Sequence, residues 1–324
     1  MASTKTSAKK SGAFELPREK AAVVRPSGDG AGPRVTVNRA YKMYVGGAFV
    51  RSESGRYFQV KNAASIAQPD PGTVNVPLGS RKDVRDAVLA AKNAQHGWAS
   101  RTAFNRGQIL YRLAEMMESR RAELAASLIR SGTSPSKAER EVDVAIDRTV
   151  FYAGFADKFQ ALVASSNPVA GPHFGFSVPE PMGVVGVVAP SEPALLGLVS
   201  TTLPVVCGGN AVVALASEVD PRTALVFCEC VATSDMPGGV LNVLTGKVKE
   251  MAPHLAKHRE VSGLDAWLGD AELRAELEQL GADNVKRVTT HDAGAADFGG
   301  DGGQGLGWIE RFLEHKSIWH PVGV

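Results

Sequence analysis

The sequence predicts an α/β protein built on a doubly wound parallel sheet of about five strands, reached only after a series of long helices. Three observations carry this. After position 183, short Val-rich runs (GVVGVVAP, NAVVAL, GVLNVL) alternate with helix-periodic segments, as strands buried on both faces alternate with their crossover helices. Before position 163, three stretches place Leu, Val, Met and Ala at helical spacing. The composition, 44% hydrophobic and 22% charged over 324 residues, is that of a globular chain with enough apolar mass for a large core.

In chain order, YKMYVGGAFVRSESGRYFQV from Tyr41 has two strand-like runs around Gly46-Gly47 and a second turn at Ser54-Gly55, a small antiparallel meander. Ser80 with Asp83 forms a capping-box signal, and Val84, Val88 and Ala91 then share one helical face up to Gly97. A second helix spans about 104–130, with Leu110, Leu113, Met117, Leu124 and Leu128 as its buried stripe and Gly132 as its stop. A third spans about 136–162. Residues 163–181 lack helical periodicity, are rich in Pro, and form a loop or protruding hairpin. The alternation then runs strand 183–190, helix 194–206, strand 210–215, helix 221–234, strand 239–244, a short helix 250–258, a weak strand 261–266, helix 270–280 and strand 284–290. Five βα units of a Rossmann-like sheet fit there.

The formal charge of +2 is unevenly spread. Residues 1–39 hold eight Lys/Arg against three acids, so the rest of the chain is net acidic. That basic tail is poor in large apolar residues and is expected to be disordered. No run approaches the ~18 apolar residues of a membrane span, and no secretory h-region is present, so a cytoplasmic protein without membrane contact is expected. Three cysteines (Cys207, Cys228, Cys230) fit a reducing compartment; Cys228 and Cys230, two apart on a helix, face different ways and read as buried structural residues. The histidines lack metal-ligand spacing, and the Lys/Arg are not interleaved with aromatics, so neither a metal nor nucleic acid is expected. Gly303, Gly305 and Gly307 lie in a Gly/Asp/Ala run, 293–307, read as a flexible linker because no strand precedes it to make a phosphate loop.

Several phrases, in order, resemble the aldehyde dehydrogenase superfamily: FYAGFADKFQ (151–160), GVVG (183–186) leading into Ala189-Pro190, CGGN (207–210), Ser217-Glu218, and PGGVLNV (237–243). The resemblance implies a nucleotide-binding domain over 40–292 with an oligomerisation hairpin at about 163–180, then the linker and an oligomerisation strand in 308–324. It also implies cofactor-binding positions at Ala189, Pro190, Ser217 and Glu218, vestigial here. The family's proline-tryptophan-asparagine, whose amide donates to the oxyanion, aligns with Pro190, Ser191 and Glu192, and a carboxylate repels an oxyanion. The family's ribose-holding lysine aligns with Leu215. Its glycine-serine-threonine turn, which opens a helix beside the pyrophosphate, falls within 265–270 (DAWLGD), where Asp270 would take the anion's place. His291 stands where the family has its general-base glutamate, and residues 292–324 hold no cysteine to serve as nucleophile. His291 with Asp292 is no base and orienter, since neighbours on a strand face opposite sides.

Taken together, these features lead to the expectation of a non-catalytic subunit of the family. Its cofactor would be none or weakly bound NAD(P), and its partner a full-length aldehyde dehydrogenase reached through the hairpin 163–178 and the strand 311–320. Two alternatives stand beside it: an NAD(P)-dependent oxidoreductase with an atypical site, and a free-standing degraded nucleotide-binding module with a regulatory or scaffolding role. In the first reading the strand 311–320 stays unpaired until a neighbour supplies a sheet.

Overall fold

A computed structural model describes residues 39–63, 72–294 and 296–322. The basic tail expected over 1–39 lies outside them except for Arg39, whose guanidinium bonds Glu123 (2.7 Å) and pairs with Glu229. The hairpin β1 (Met43–Val45) and β2 (Ala48–Val50) turns on Gly46-Gly47, both at positive φ. A Cβ on Gly47 would come 2.8 Å from the Gly238 Cα, so this turn needs Gly on both sides of the contact. The meander expected here divides. β3 (Tyr57–Lys61) pairs instead with β4 (Thr73–Pro77), a strand the sequence pattern did not signal, as a separate two-stranded sheet.

Helix α1 (Arg81–Ala99) opens on the capping box, with Ser80 accepting from the Lys82 N–H and Asp83 reaching back to the Ser80 N–H (2.8 Å). The single helix expected over 104–130 is two, α2 (Ala103–Ser119) and α3 (Arg121–Ser131), broken at Arg120. Arg120 bonds Glu229 (2.7 Å) and Glu123 (3.0 Å), a tertiary anchor that local periodicity does not register. Likewise α4 (Pro135–Phe155) stops early, and the short α5 (Phe159–Val163) follows a turn in which Lys158 donates back to the Gly154 carbonyl. β5 (Ser165–Asn167) and β6 (His173–Pro181) form the expected hairpin.

The alternating part follows as β7 (Val184–Val188), α6 (Ala194–Cys207), β8 (Ala211–Leu215), α7 (Pro221–Ala232), β9 (Leu241–Leu244), α8 (Val248–Lys257), β10 (Gly263–Trp267), α9 (Ala271–Ala282) and β11 (Arg287–His291). The five parallel strands lie in the order β11-β10-β7-β8-β9, and β1 and β2 extend this sheet antiparallel from β9, making seven strands rather than about five. Helices α6 and α7, backed by α2–α4, cover one face; α1, α8 and α9 cover the other. Two buried clusters result, one containing Val187, Leu198 and Phe227, the other Val188, Leu255 and Leu264.

The expectation of a flexible linker is corrected. Residues 296–307 lie on the body: Phe298 is buried, and Arg148 donates to the Gly300 carbonyl (3.2 Å) and to Ser200 Oγ (2.5 Å). Glycine count alone does not reveal this, because the segment is held by side chains that flank the glycines. Next, α10 (Leu306–Glu310) buries Trp308 and Ile309, and β12 (Leu313–Pro321) pairs antiparallel with β6 along its whole length, from Leu313↔Pro181 to Pro321↔His173. The C-terminal strand is thus satisfied on one edge by its own chain, which corrects the expectation that it stays unpaired. Phe312 is buried and Ile318 is half-buried. The other edge of β12 has no strand beside it among the described residues.

Candidate functional site

β7 is bonded to β8 on one side and β10 on the other, so the chain winds away from it in both directions, and a crevice opens at the carboxyl ends of β7 and β10. The residues Ala189 and Pro190 leave β7 into this rim and are buried. The turn sits tightly on α6, where a Cβ on Gly197 would meet Pro190 Cγ at 2.3 Å. Ser217 joins them: its hydroxyl donates to the Ser191 carbonyl (2.8 Å) and accepts from the Val219 and Asp220 N–H groups (both 3.1 Å). Glu218, the fourth residue singled out by sequence, turns away to α8, accepting from the Val248 N–H and from Lys247 Nζ (3.1 Å). The Leu215 side chain is buried at the end of β8.

Across the crevice, Asp270 caps α9, its Oδ1 accepting from the Glu272 and Leu273 N–H groups (3.0 and 3.1 Å). These are the N–H groups and the positive helix end that an external phosphate would use. The two helix starts facing the crevice from this side, α8 and α9, therefore each hold a carboxylate of the chain itself.

Beside the rim a pocket of about 640 Å³ lies between the α3–α4 turn and the segment 191–194. Glu141, which the sequence pattern did not single out, projects from α4 and accepts from the Leu195 and Leu196 N–H groups (2.8 and 3.1 Å), holding the start of α6. Burial pushes its carboxyl above the usual range, and the two backbone bonds pull partly against that. Glu141, Glu192 and Asp220 outnumber the pocket's one cation, Lys137. A pocket so lined disfavours a developing oxyanion. Glu192 itself is exposed.

His291 is held, not free. Its Nε2 is 3.0 Å from Asp265 Oδ1, and its ring stacks on Trp267 at 3.9 Å and 13°. Asp265 Oδ2 also accepts from Trp267 Nε1 (3.1 Å). Trp267 lies nearly parallel to Trp308 (5.6 Å, 7°) and edge-on to Phe298, and the Arg311 guanidinium sits 4.2 Å over Trp308. Segment 298–311 thus fills the end of β10 and β11 with aromatic rings. Asp265 and Trp267 were legible only as members of DAWLGD. Their i, i+2 spacing puts them on one face of a strand, but the pairing Trp267↔His291 comes from the sheet register. Asp292 points elsewhere, accepting from the Gly294 N–H (3.0 Å). Cys207, Cys228 and Cys230 are buried; burial pushes the Cys207 and Cys230 thiols up to about 12 and Cys228 well above its ordinary value, far from a nucleophilic thiolate. Among the described residues no group of three His, Cys, Asp or Glu is placed to hold a metal, and no helix is long and apolar enough to cross a membrane.

A profile of the "Aldehyde dehydrogenase family" matches residues 49–298. Cytosolic 10-formyltetrahydrofolate dehydrogenase of Mus musculus is 31% identical over 265 residues, covering 79% of this chain and 28% of that protein; the Xenopus tropicalis protein of the same name gives the same identity and coverage over 263 residues. Among solved structures, a putative aldehyde dehydrogenase from Burkholderia cenocepacia superposes with a TM-score of 0.73 at 25% identity, covering 78% of this chain and 50% of that one. Betaine aldehyde dehydrogenase of Staphylococcus aureus in complex with NAD+ gives 0.71 at 24%, with the same coverage. The chain spans about half the length of these solved relatives and just over a quarter of the curated ones.

Proposed function

The chain belongs to the aldehyde dehydrogenase family, and from that premise we propose that it is a non-catalytic subunit that assembles in the cytoplasm with a full-length relative and supports or regulates it. The observation that carries this reading is the arm. Among the described residues the sheet β5–β6–β12 keeps an unpaired outer edge nine residues long and leaves Phe174 and Trp319 50% and 63% exposed. A long edge with exposed aromatics is a template for another chain's strand. The chemistry of the rim supports the same reading from the other side. Glu192 replaces the oxyanion donor, His291 is stacked and bonded rather than poised, and the thiols are buried. The residues present do not fit the pyrophosphate of a nicotinamide dinucleotide, because Asp270 takes the α9 N–H groups and Glu218 is engaged with α8. On this reading NAD(P) binding is weak or absent, and no step is routed through it.

The test is affinity purification from the native cell, with wild-type chain and with Phe174→Asp and Trp319→Asp arm variants. A full-length family member recovered with wild type and lost with the variants supports the proposal. Recovery undiminished by the variants, or aldehyde-dependent NADH formation by the isolated chain that survives loss of all three cysteines, overturns it.

A further inference from the structure

At the opposite, amino-terminal end of the sheet, an open pocket of about 520 Å³ lies between the starts of β10, β11 and β12. Its charged lining is Arg259, Lys286, Arg287 and Glu314. The imbalance is larger than the count, because the groups are differently committed. Glu314 is already paired with Arg287 (3.0 Å), whose other nitrogen donates to the Arg311 and Leu313 carbonyls (2.7 and 2.9 Å). Arg259 has no hydrogen-bond or ion-pair partner among the described residues. Among the described residues Lys286 donates only to the His258 carbonyl (2.8 Å), no carboxylate offsets its charge, and burial pushes its ammonium down to about 8. Two cations therefore face the pocket without a counter-charge, one of them desolvated, with the Ser262 hydroxyl and the Asn284 amide beside them.

The end of α9 sets the position of Lys286. Val285, 95% exposed, lies at φ +52°, a region that β-branched residues rarely adopt. The turn it makes returns the Lys286 N–H to the Gly281 carbonyl (3.3 Å) and starts β11 at Arg287. With the Val285 N–H bonded to the Ala282 carbonyl (3.1 Å) as well, this is the left-handed turn in which helices commonly end, and it places Lys286 at the pocket.

We infer that this pocket binds the tetrahedral dianion of a small phosphorylated molecule, with Arg259 and Lys286 as its charged donors and Arg287 as the bonded cation behind them. A cation without a partner gains most from an anion that brings several acceptor oxygens. The volume exceeds that of a bare oxyanion and falls in the range of small-molecule sites, which favours a phosphomonoester over free phosphate. The site lies at the far end of the strands from the crevice and stands independently of the subunit reading.

Calorimetric titration of the whole chain with glycerol 3-phosphate, inorganic phosphate and glycerol, at fixed ionic strength, tests it. Saturable binding of the monoester with glycerol silent is expected. Lys286→Gln and Arg259→Gln should each weaken binding about tenfold, and Glu314→Gln should strengthen it, since this exposed residue repels the anion. Inorganic phosphate binding equally well would keep the site and assign it to the free ion. Thermal melts establish that the variants fold, and Glu314→Gln leaves Arg259 and Lys286 in place while releasing Arg287 from its ion pair. Binding unchanged in the Lys286→Gln, Arg259→Gln double variant, or no binding of either anion up to on the order of 10 mM, overturns the inference.

Discussion

Asp265, 1% exposed, is the acceptor for both Trp267 Nε1 and His291 Nε2, so a single carboxylate orients the aromatic layer at the end of the sheet. Asp265→Ala leaves the buried Trp267 Nε1 and the half-buried His291 Nε2 without this partner, and a buried unsatisfied group costs about 1 to 3 kcal/mol. Urea unfolding should show a loss of about 2 to 3 kcal/mol together with a change in Trp fluorescence; a loss indistinguishable from zero would mean water replaces the carboxylate. Lys286 gives a pH dependence whose sign follows from linkage. Its folded-state value, about 8, lies below the ordinary 10.5, so between those values the unfolded chain holds more protons. Stability must therefore rise as pH climbs from about 8 toward 10.5, with the penalty of the buried cation fully present below 8. Lys286→Met should flatten that rise in melts taken across the window, and an unchanged slope would show that the ammonium is solvated.

Helix starts set the element scale. α1, α7, α8 and α9 each begin with a carboxylate or hydroxyl bonded to a free N–H, and α6 borrows Glu141 from α4 for the same purpose. Local caps are legible in sequence because donor and acceptor lie within three residues, as with Ser80 and Asp83 or with Asp270. Borrowed caps are not: Glu141 and Leu195 are 54 positions apart. Asp270→Ala should cost about 1 kcal/mol of stability. It should also free the start of α9, so a calorimetric titration with pyrophosphate should give a higher affinity than for wild type. A variant as stable as wild type would remove the cap from the account.

For the whole molecule, the C-terminal segment is part of the fold and not an appendage. Phe312 and Leu313 are buried, and Trp308 and Ile309 complete the cluster that contains Trp267. Truncation after Gly307 removes all four, and at about 2 to 5 kcal/mol per large buried side chain it should leave the chain unable to fold cooperatively. Truncation after Glu314 keeps that cluster and removes only most of β12, so it should melt cooperatively at a reduced temperature. Circular dichroism melts of the two products separate these outcomes, and a cooperative fold in the shorter one would show that 308–313 packs without contributing stability.

The sequence by itself determined the parallel sheet and its helices. Val-rich runs with no polar face have nowhere to go but between two layers, and the helix stripes name their own buried sides. It also determined the side chains at Leu215, Glu192 and His291, none of them a lysine or an amide. Only the tertiary structure decided where Glu218 and His291 point, that 296–313 is packed, and that β12 pairs in its own chain. The physical reason is separation. Burial patterns and caps are written over a few residues, whereas the partners of Glu218, His291 and β12 lie 26 to 148 positions away and meet only once the sheet has set their register.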